Sequence, residues 1–183
     1  MRTSLSCLTF FCLLVALAAF TAHPPKTSAA QDIQTKEVSP FSYVYVAHKG
    51  PYTEIENVIG RLMQAIQSQN IFPAGPMIGI YYNSPEEVKP EELEWEIGFP
   101  VSAEINVNAP LKKKVWNITS VVSAIHKGAY EETGQTIATM SQWMQEKGII
   151  QAGPLLERYL TMPSPETRPE DLRSEIWIPY QKK

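Results

Sequence analysis

Two stretches of this chain alternate apolar and polar residues with a period of two, and each runs directly into a helical pattern. Phe41 to His48, rich in Val and Tyr, and Trp116 to His126, rich in Val and Ile, predict strands. Both end in nearly the same five residues, His48-Lys-Gly-Pro-Tyr52 and His126-Lys-Gly-Ala-Tyr130. Gly50 and Gly128 predict a turn with backbone angles that other residues avoid. From Thr53 to Gln69, Ile55, Ile59, Leu62, Met63 and Ile66 recur at helical spacing, as do Ile137, Met140 and Met144 in the second stretch. Asn70 and Gly148 readily take the left-handed conformation that closes a helix, so the helices are expected to stop there. Ala-Gly-Pro then leads into a second strand, Met77 to Tyr82 or Leu155 to Leu160. After a Pro- and Glu-rich loop a third follows, Leu93 to Val101 or Leu172 to Tyr180.

The match extends beyond the pentapeptide. A shift of 78 residues aligns Phe41–Pro85 with Thr119–Pro163 with 16 identities in 45 positions, where chance gives roughly 3. A shift of 79 then aligns Pro90–Pro100 with Pro169–Pro179. The reading is one duplicated strand-helix-strand-strand unit, copy one over about 33–101 and copy two over about 111–180. One helix on a small sheet leaves an edge exposed, so the two units are expected to join into one sheet. The fold class is α+β: a mostly antiparallel curved sheet, two main helices on one face and a cleft on the other.

Alternation separates the faces, and equivalent positions should share one. Val44 and Val46, with Val122 and Ala124, are assigned to the helix-covered core. Trp95, Ile97 and Phe99, with Ser174, Ile176 and Ile178, join them. In the second strands Ile78, Ile80 and Tyr82, with Leu156, Arg158 and Leu160, are placed on that side too. The opposite face then gathers Tyr43, Tyr45, Tyr81, Tyr159 and Trp177 with Glu96, Glu157 and Glu175. Rings and carboxylates with almost no basic residue suit a cationic or aromatic amphipathic ligand.

Composition narrows the setting. Arg2 precedes an apolar run from Leu8 to Phe20 and a tail with small residues at Ser28 and Ala30, the pattern of a secretory signal over residues 1–30. An uncleaved anchor is the alternative, and the run is short of the roughly 20 apolar residues that span a bilayer. The expected protein is exported, periplasmic or secreted, with no membrane contact after cleavage and one domain over residues 31–183. Both cysteines, Cys7 and Cys12, fall in the signal, which removes thiol nucleophiles and zinc-thiolate sites from that domain. From Gln31 onward 14 basic side chains face 19 acidic ones, a charge of −5, so nucleic acid is not an expected partner. The one basic run, Lys112-Lys113-Lys114, reads as a solvated turn, and Asn117-Ile118-Thr119 is a glycosylation sequon in a eukaryotic setting.

These landmarks resemble the GyrI-like small-molecule-binding domain, also called the AraC-type effector-binding domain, of the superfamily that includes the SOUL haem-binding proteins. The resemblance runs from about Ile33 to Tyr180. It rests on His48-Lys-Gly-Pro-Tyr52, Gly75-Pro76 before Ile78-Gly-Ile-Tyr-Tyr82, Gly153-Pro154 before Leu155-Leu-Glu-Arg-Tyr159, and Glu175-Ile-Trp-Ile-Pro179. It implies a ligand cleft formed by the duplicated unit, with Glu157 or Glu175 as the pocket carboxylate. No helix-turn-helix segment fits between the signal and Ile33 or after Tyr180, so the expectation is a sensor pocket without a DNA-binding output.

Two alternatives stand beside a binding domain. A pocket Glu, 157 or 175, beside Tyr159 could serve as general base in a hydrolase. Haem binding would require His48 or His126 in an apolar groove, whereas their position before Lys-Gly in both copies favours a turn role. No cofactor and no metal site is expected.

Overall fold

The computed structural model of the chain describes residues 31–164 and 166–182. The signal expected over residues 1–30 lies outside them. The elements are β1 (Gln31–Glu37), β2 (Phe41–Lys49), α1 (Ile55–Ser68), β3 (Ile78–Tyr81), β4 (Glu94–Pro100), β5 (Lys112–Trp116), β6 (Ser120–Lys127), α2 (Thr133–Glu146), β7 (Ile149–Gln151), β8 (Leu155–Tyr159) and β9 (Arg173–Lys182). The described strands form one antiparallel sheet in the order β1-β6-β9-β8-β3-β4-β2-β5, with short β7 against the end of β9. The order β2-α1-β3-β4 thus recurs as β6-α2-β8-β9. Their inner strands β3 and β8 pair at the centre, with Gly79 directly opposite Glu157.

Both helices close as their sequences require. Asn70 and Gly148 have φ of 51° and 66°, and Ile71 N–H returns to Ile66 O at 3.0 Å, which satisfies carbonyls left free at the helix end. Helix α1 buries Val58, Leu62, Ala65 and Ile66 against Val44, Val46, Trp95 and Ile97. Helix α2 buries Met140 and Met144 against Val122, Ala124, Ile176 and Ile178. The two helices therefore cover the two ends of one face and leave β3 and β8 between them.

The other face is concave, and side chains fill the concavity. Neighbouring strands lie about 4.8 Å apart, so β2 and β9, four places apart in the order, would be roughly 19 Å apart on a flat sheet. The rings of Phe41 and Trp177 are nonetheless 6.4 Å apart. The sheet curls around Tyr43, Tyr45, Ile78, Ile80, Leu156 and Trp177.

Two local expectations change. Trp116–His126 is not one strand: β5 ends at Trp116 and β6 begins at Ser120. The lysine run is not a turn but edge strand β5, paired with β2 so that Lys114 faces Tyr43 and Lys112 faces Tyr45. Charge on an outer strand discourages pairing with other chains. Polar β1, which pairs with β6, guards the far edge and carries no periodic apolar signal.

Candidate functional site

The phase of the central strands is the main departure from the alternation argument. Ile78, Ile80 and Leu156 face the concave core, not the helices. Tyr81 and Tyr159 therefore project to the helix side, where they pack with Val58, Leu62 and Trp95. Glu157 shares their phase along β8. Hence the eight residues expected on one face divide between two. Tyr43, Tyr45, Glu96, Glu175 and Trp177 belong to the concave side, and Tyr81, Glu157 and Tyr159 to the helix side.

The three carboxylates are almost equally buried, at 2 % for Glu96, 5 % for Glu157 and 6 % for Glu175, so their partners distinguish them. Glu96 accepts hydrogen bonds from the Tyr43 hydroxyl at 2.5 Å and from Lys114 Nζ at 2.9 Å. Lys114 also lies over the Tyr45 ring, 4.5 Å from its centroid. Glu175 takes Lys36 Nζ at 2.7 Å, the Ser123 hydroxyl at 3.0 Å and the Arg158 guanidinium. Burial alone would raise the Glu175 carboxyl, but Lys36 and Ser123 bring it down to about 2. Both residues reach shallow grooves at the sheet rims, of about 510 Å³ beside Glu96 and about 280 Å³ beside Glu175. Each already holds a cation of its own chain.

Glu157 is different. No Lys, Arg or His pairs with it among the described residues. Burial pushes its carboxyl up to about 7, a rise that the hydroxyls of Tyr159 and Thr133 oppose. Four tyrosines form a continuous row around it. Tyr52 packs edge-on against Tyr81 with centroids 5.4 Å apart, and Tyr130 against Tyr159 at 5.1 Å. The hydroxyls of Tyr81 and Tyr159 meet at 2.6 Å. Burial raises all four phenols and the Glu157 charge adds to it, taking Tyr52 to about 12 and Tyr81 and Tyr159 well above their ordinary value. Gly79 makes the meeting possible: a Cβ there would lie 2.8 Å from the Tyr81 hydroxyl and 3.0 Å from that of Tyr159.

Tyr52 and Tyr130 are the candidate residues that alternation along strands missed, although the pentapeptide carried them in plain view. Gly50 and Gly128, at φ of 146° and 134°, turn the chain out of β2 and β6. Two residues later Tyr52 and Tyr130 open the short 3-10 turns that precede α1 and α2. Their hydroxyls donate to the Asn83 and Thr161 carbonyls, in the loops that follow β3 and β8. The histidines of the same motif are not in the turns: each is the next-to-last residue of its strand, His48 in β2 opposite Trp95 and His126 in β6 opposite Ser174. His126 is buried with Nδ1 on the Thr136 hydroxyl at 2.8 Å and Nε2 on the Ala129 carbonyl at 3.0 Å, while His48 packs tilted against Trp95 with its Nε2 2.9 Å from Glu54.

A buried carboxylate without a cation partner among the described residues, close enough to four tyrosines to raise each phenol, is a candidate point for a cationic aromatic ligand. Residues 31–181 match the family model of the GyrI-like small molecule binding domain. The chain belongs to the GyrI-like family. No protein among the curated sequences matches this GyrI-like chain. Solved structures that share its fold include the EcmrR C-terminal domain, with a TM-score of 0.73 at 17% identity, covering 83% of this chain and 98% of that one. A hydrolase encoded by lin2189 from Listeria innocua gives 0.61 at 14%, over 83% and 93%. SAV2435 bound to tetraphenylphosphonium gives 0.55 at 12%, over 82% and 94%. At these identities the likeness is one of fold.

Proposed function

We propose that this GyrI-like domain is an exported binding protein that senses, sequesters or carries a lipophilic organic cation, held by Glu157 among Tyr52, Tyr81, Tyr130 and Tyr159. The observation that carries this reading is the unpaired Glu157. A buried carboxylate normally pairs, as Glu96 and Glu175 do here, or stays protonated at a cost. A bound cation would supply the missing charge, and the tyrosine faces would cover its apolar body. The Tyr81 and Tyr159 hydroxyls are bonded to each other at 2.6 Å, and on this reading a ligand enters by parting that pair. SAV2435, which shares the fold, is bound to such a cation. Export rests on the N-terminal signal pattern. We also infer that the two halves are copies of one ancestral unit, a reading supported by the Tyr52/Tyr130 and Tyr81/Tyr159 pairs, each 78 residues apart.

Calorimetric titration of the purified protein with tetraphenylphosphonium tests the site. Wild type should bind, and Glu157→Gln should weaken binding by about 30-fold or more at pH 8, the loss expected when a buried charge partner is removed. Glu96→Gln should leave the affinity within about three-fold, since Lys114 already occupies that carboxylate. No binding by wild type, or unchanged binding by Glu157→Gln, would remove the reading.

A hydrolase is the second reading. A carboxyl titrating near 7 beside two hydroxyls suits a general base, and a structure of this fold is described as a hydrolase. Turnover of a reactive alkylating substrate by wild type, lost in Glu157→Gln, would favour it over simple binding.

A further inference from the structure

The two halves of the site match in aromatic residues and differ in polarity. Positions 78 apart carry Ile55 and Thr133, Val58 and Thr136, and Gly79 and Glu157; in the third strands, 79 apart, Trp95 stands where Ser174 does. At every one of these pairs the first half is apolar or bare and the second carries a polar group.

The contacts follow the same division. On the α1 side Ile55 packs against the cluster that holds Tyr159, Val58 and Trp95. The Trp95 indole N–H is already committed to the Gly50 carbonyl at 2.9 Å. On the α2 side Thr133 donates its hydroxyl to the Tyr130 carbonyl at 2.9 Å and lowers the Glu157 carboxyl against its burial, and Thr136 fixes His126. Ser174, paired across the sheet with both Tyr159 and His126, buries a hydroxyl with no hydrogen-bond partner among the described residues.

We infer that the site accepts a cation with a single head group in one orientation, the positive head on the α2 side against Glu157 and Thr133 and the ring system on the α1 side over Gly79 and Ile55. This rests on the cation-binding reading above and specifies its ligand class. A molecule charged at both ends is rejected, because its second charge would be buried against Ile55, Val58 and Trp95; the carboxylate beside Tyr52 on this side, Glu87, is exposed and accepts from the Ser84 N–H at 2.9 Å. The ligand class is therefore an amphipathic monocation, such as an aryl-substituted quaternary or pyridinium compound.

N-methyl-phenylpyridinium and N,N′-dimethyl-bipyridinium share one two-ring frame and differ in whether the second ring is neutral or charged. Titrated into wild type, the monocation should bind at least about ten-fold more tightly than the dication, as expected when a charge is buried unpaired. Ile55 is the first residue of α1, where an acidic side chain suits the helix dipole. In Ile55→Glu the preference should shrink to about three-fold or less, by tighter dication binding that supplies its second charge with a partner. Independently of any variant, nuclear Overhauser contacts in the wild-type complex should place the N-methyl group near Thr133 and the neutral ring near Ile55. Equal binding of the two compounds, a preference unchanged in folded Ile55→Glu, or the reverse set of contacts would overturn the orientation while leaving cation binding intact. Binding of neither compound would count against the cation reading itself.

Discussion

Removing the charge at Glu157 should make the protein more stable, and only above a definable pH. Burial raises this carboxyl from 4.5 to about 7 in the folded chain. Well below pH 4.5 it is protonated whether the chain is folded or not, and contributes nothing. Between 4.5 and 7 the folded chain keeps the proton that the unfolded chain loses, so stability falls as pH rises; above 7 the full penalty is present. A rise of about 2.5 units at 1.36 kcal/mol each sets that penalty at about 3 kcal/mol. Nothing else in the cluster titrates in this window, because Tyr81 and Tyr159 are held well above their ordinary value. Glu157→Gln keeps the shape, and its amide can meet the same hydroxyls. Urea denaturation should therefore show the variant more stable than wild type by about 2–3 kcal/mol at pH 8, equivalent to roughly 5–10 °C in Tm, with the difference gone by about pH 3.5. A gain independent of pH, or a variant less stable at pH 8, would refute the placement of an uncompensated carboxylate at this point.

Two further outcomes follow from the same contacts. Lys114→Met leaves Glu96 buried with only the Tyr43 hydroxyl as donor. It should cost roughly 1–3 kcal/mol, below the usual range for breaking a buried pair because Lys114 is partly exposed, and adding Glu96→Gln should restore most of it in urea melts. Gly79→Ala drives a methyl into the Tyr81 and Tyr159 hydroxyls. It should destabilise by about 1–3 kcal/mol and weaken tetraphenylphosphonium binding, both readable in one set of melts with and without the cation.

The outline of the fold was legible because its signals are local. Left-handed caps at Asn70 and Gly148, glycine turns at 50 and 128, and helical spacing from Ile55 to Ile66 each act within a few residues. The 78-residue register then carried them from one half to the other. The phase of β3 and β8 was not legible, and the reason is physical. These strands lie at the middle of the sheet and are buried on both faces, so Ile78, Ile80 and Leu156 on one side and Tyr81 and Tyr159 on the other look equally like core. Alternation reports a face only where the other face is wet. Arg158, placed by alternation on the helix side, is on the concave side opposite Ile78 and bound to Glu175. The curl that brings Phe41 to Trp177 arises from the whole sheet and has no local mark. Within the site the informative positions were those where the halves agree, Tyr52 with Tyr130, and the one where a glycine replaces a carboxylate, Gly79 with Glu157.

The most direct test of Glu157 as the ligand's counter-charge is to count protons released on binding. With a carboxyl titrating at about 7, roughly nine sites in ten are protonated at pH 6, and a bound cation requires the ionised form. Calorimetric titration with tetraphenylphosphonium at pH 6, in two buffers of different ionisation enthalpy, should register close to one proton released per cation bound by wild type, and none by Glu157→Gln. Binding with no proton release, or the same release from Glu157→Gln, would contradict it.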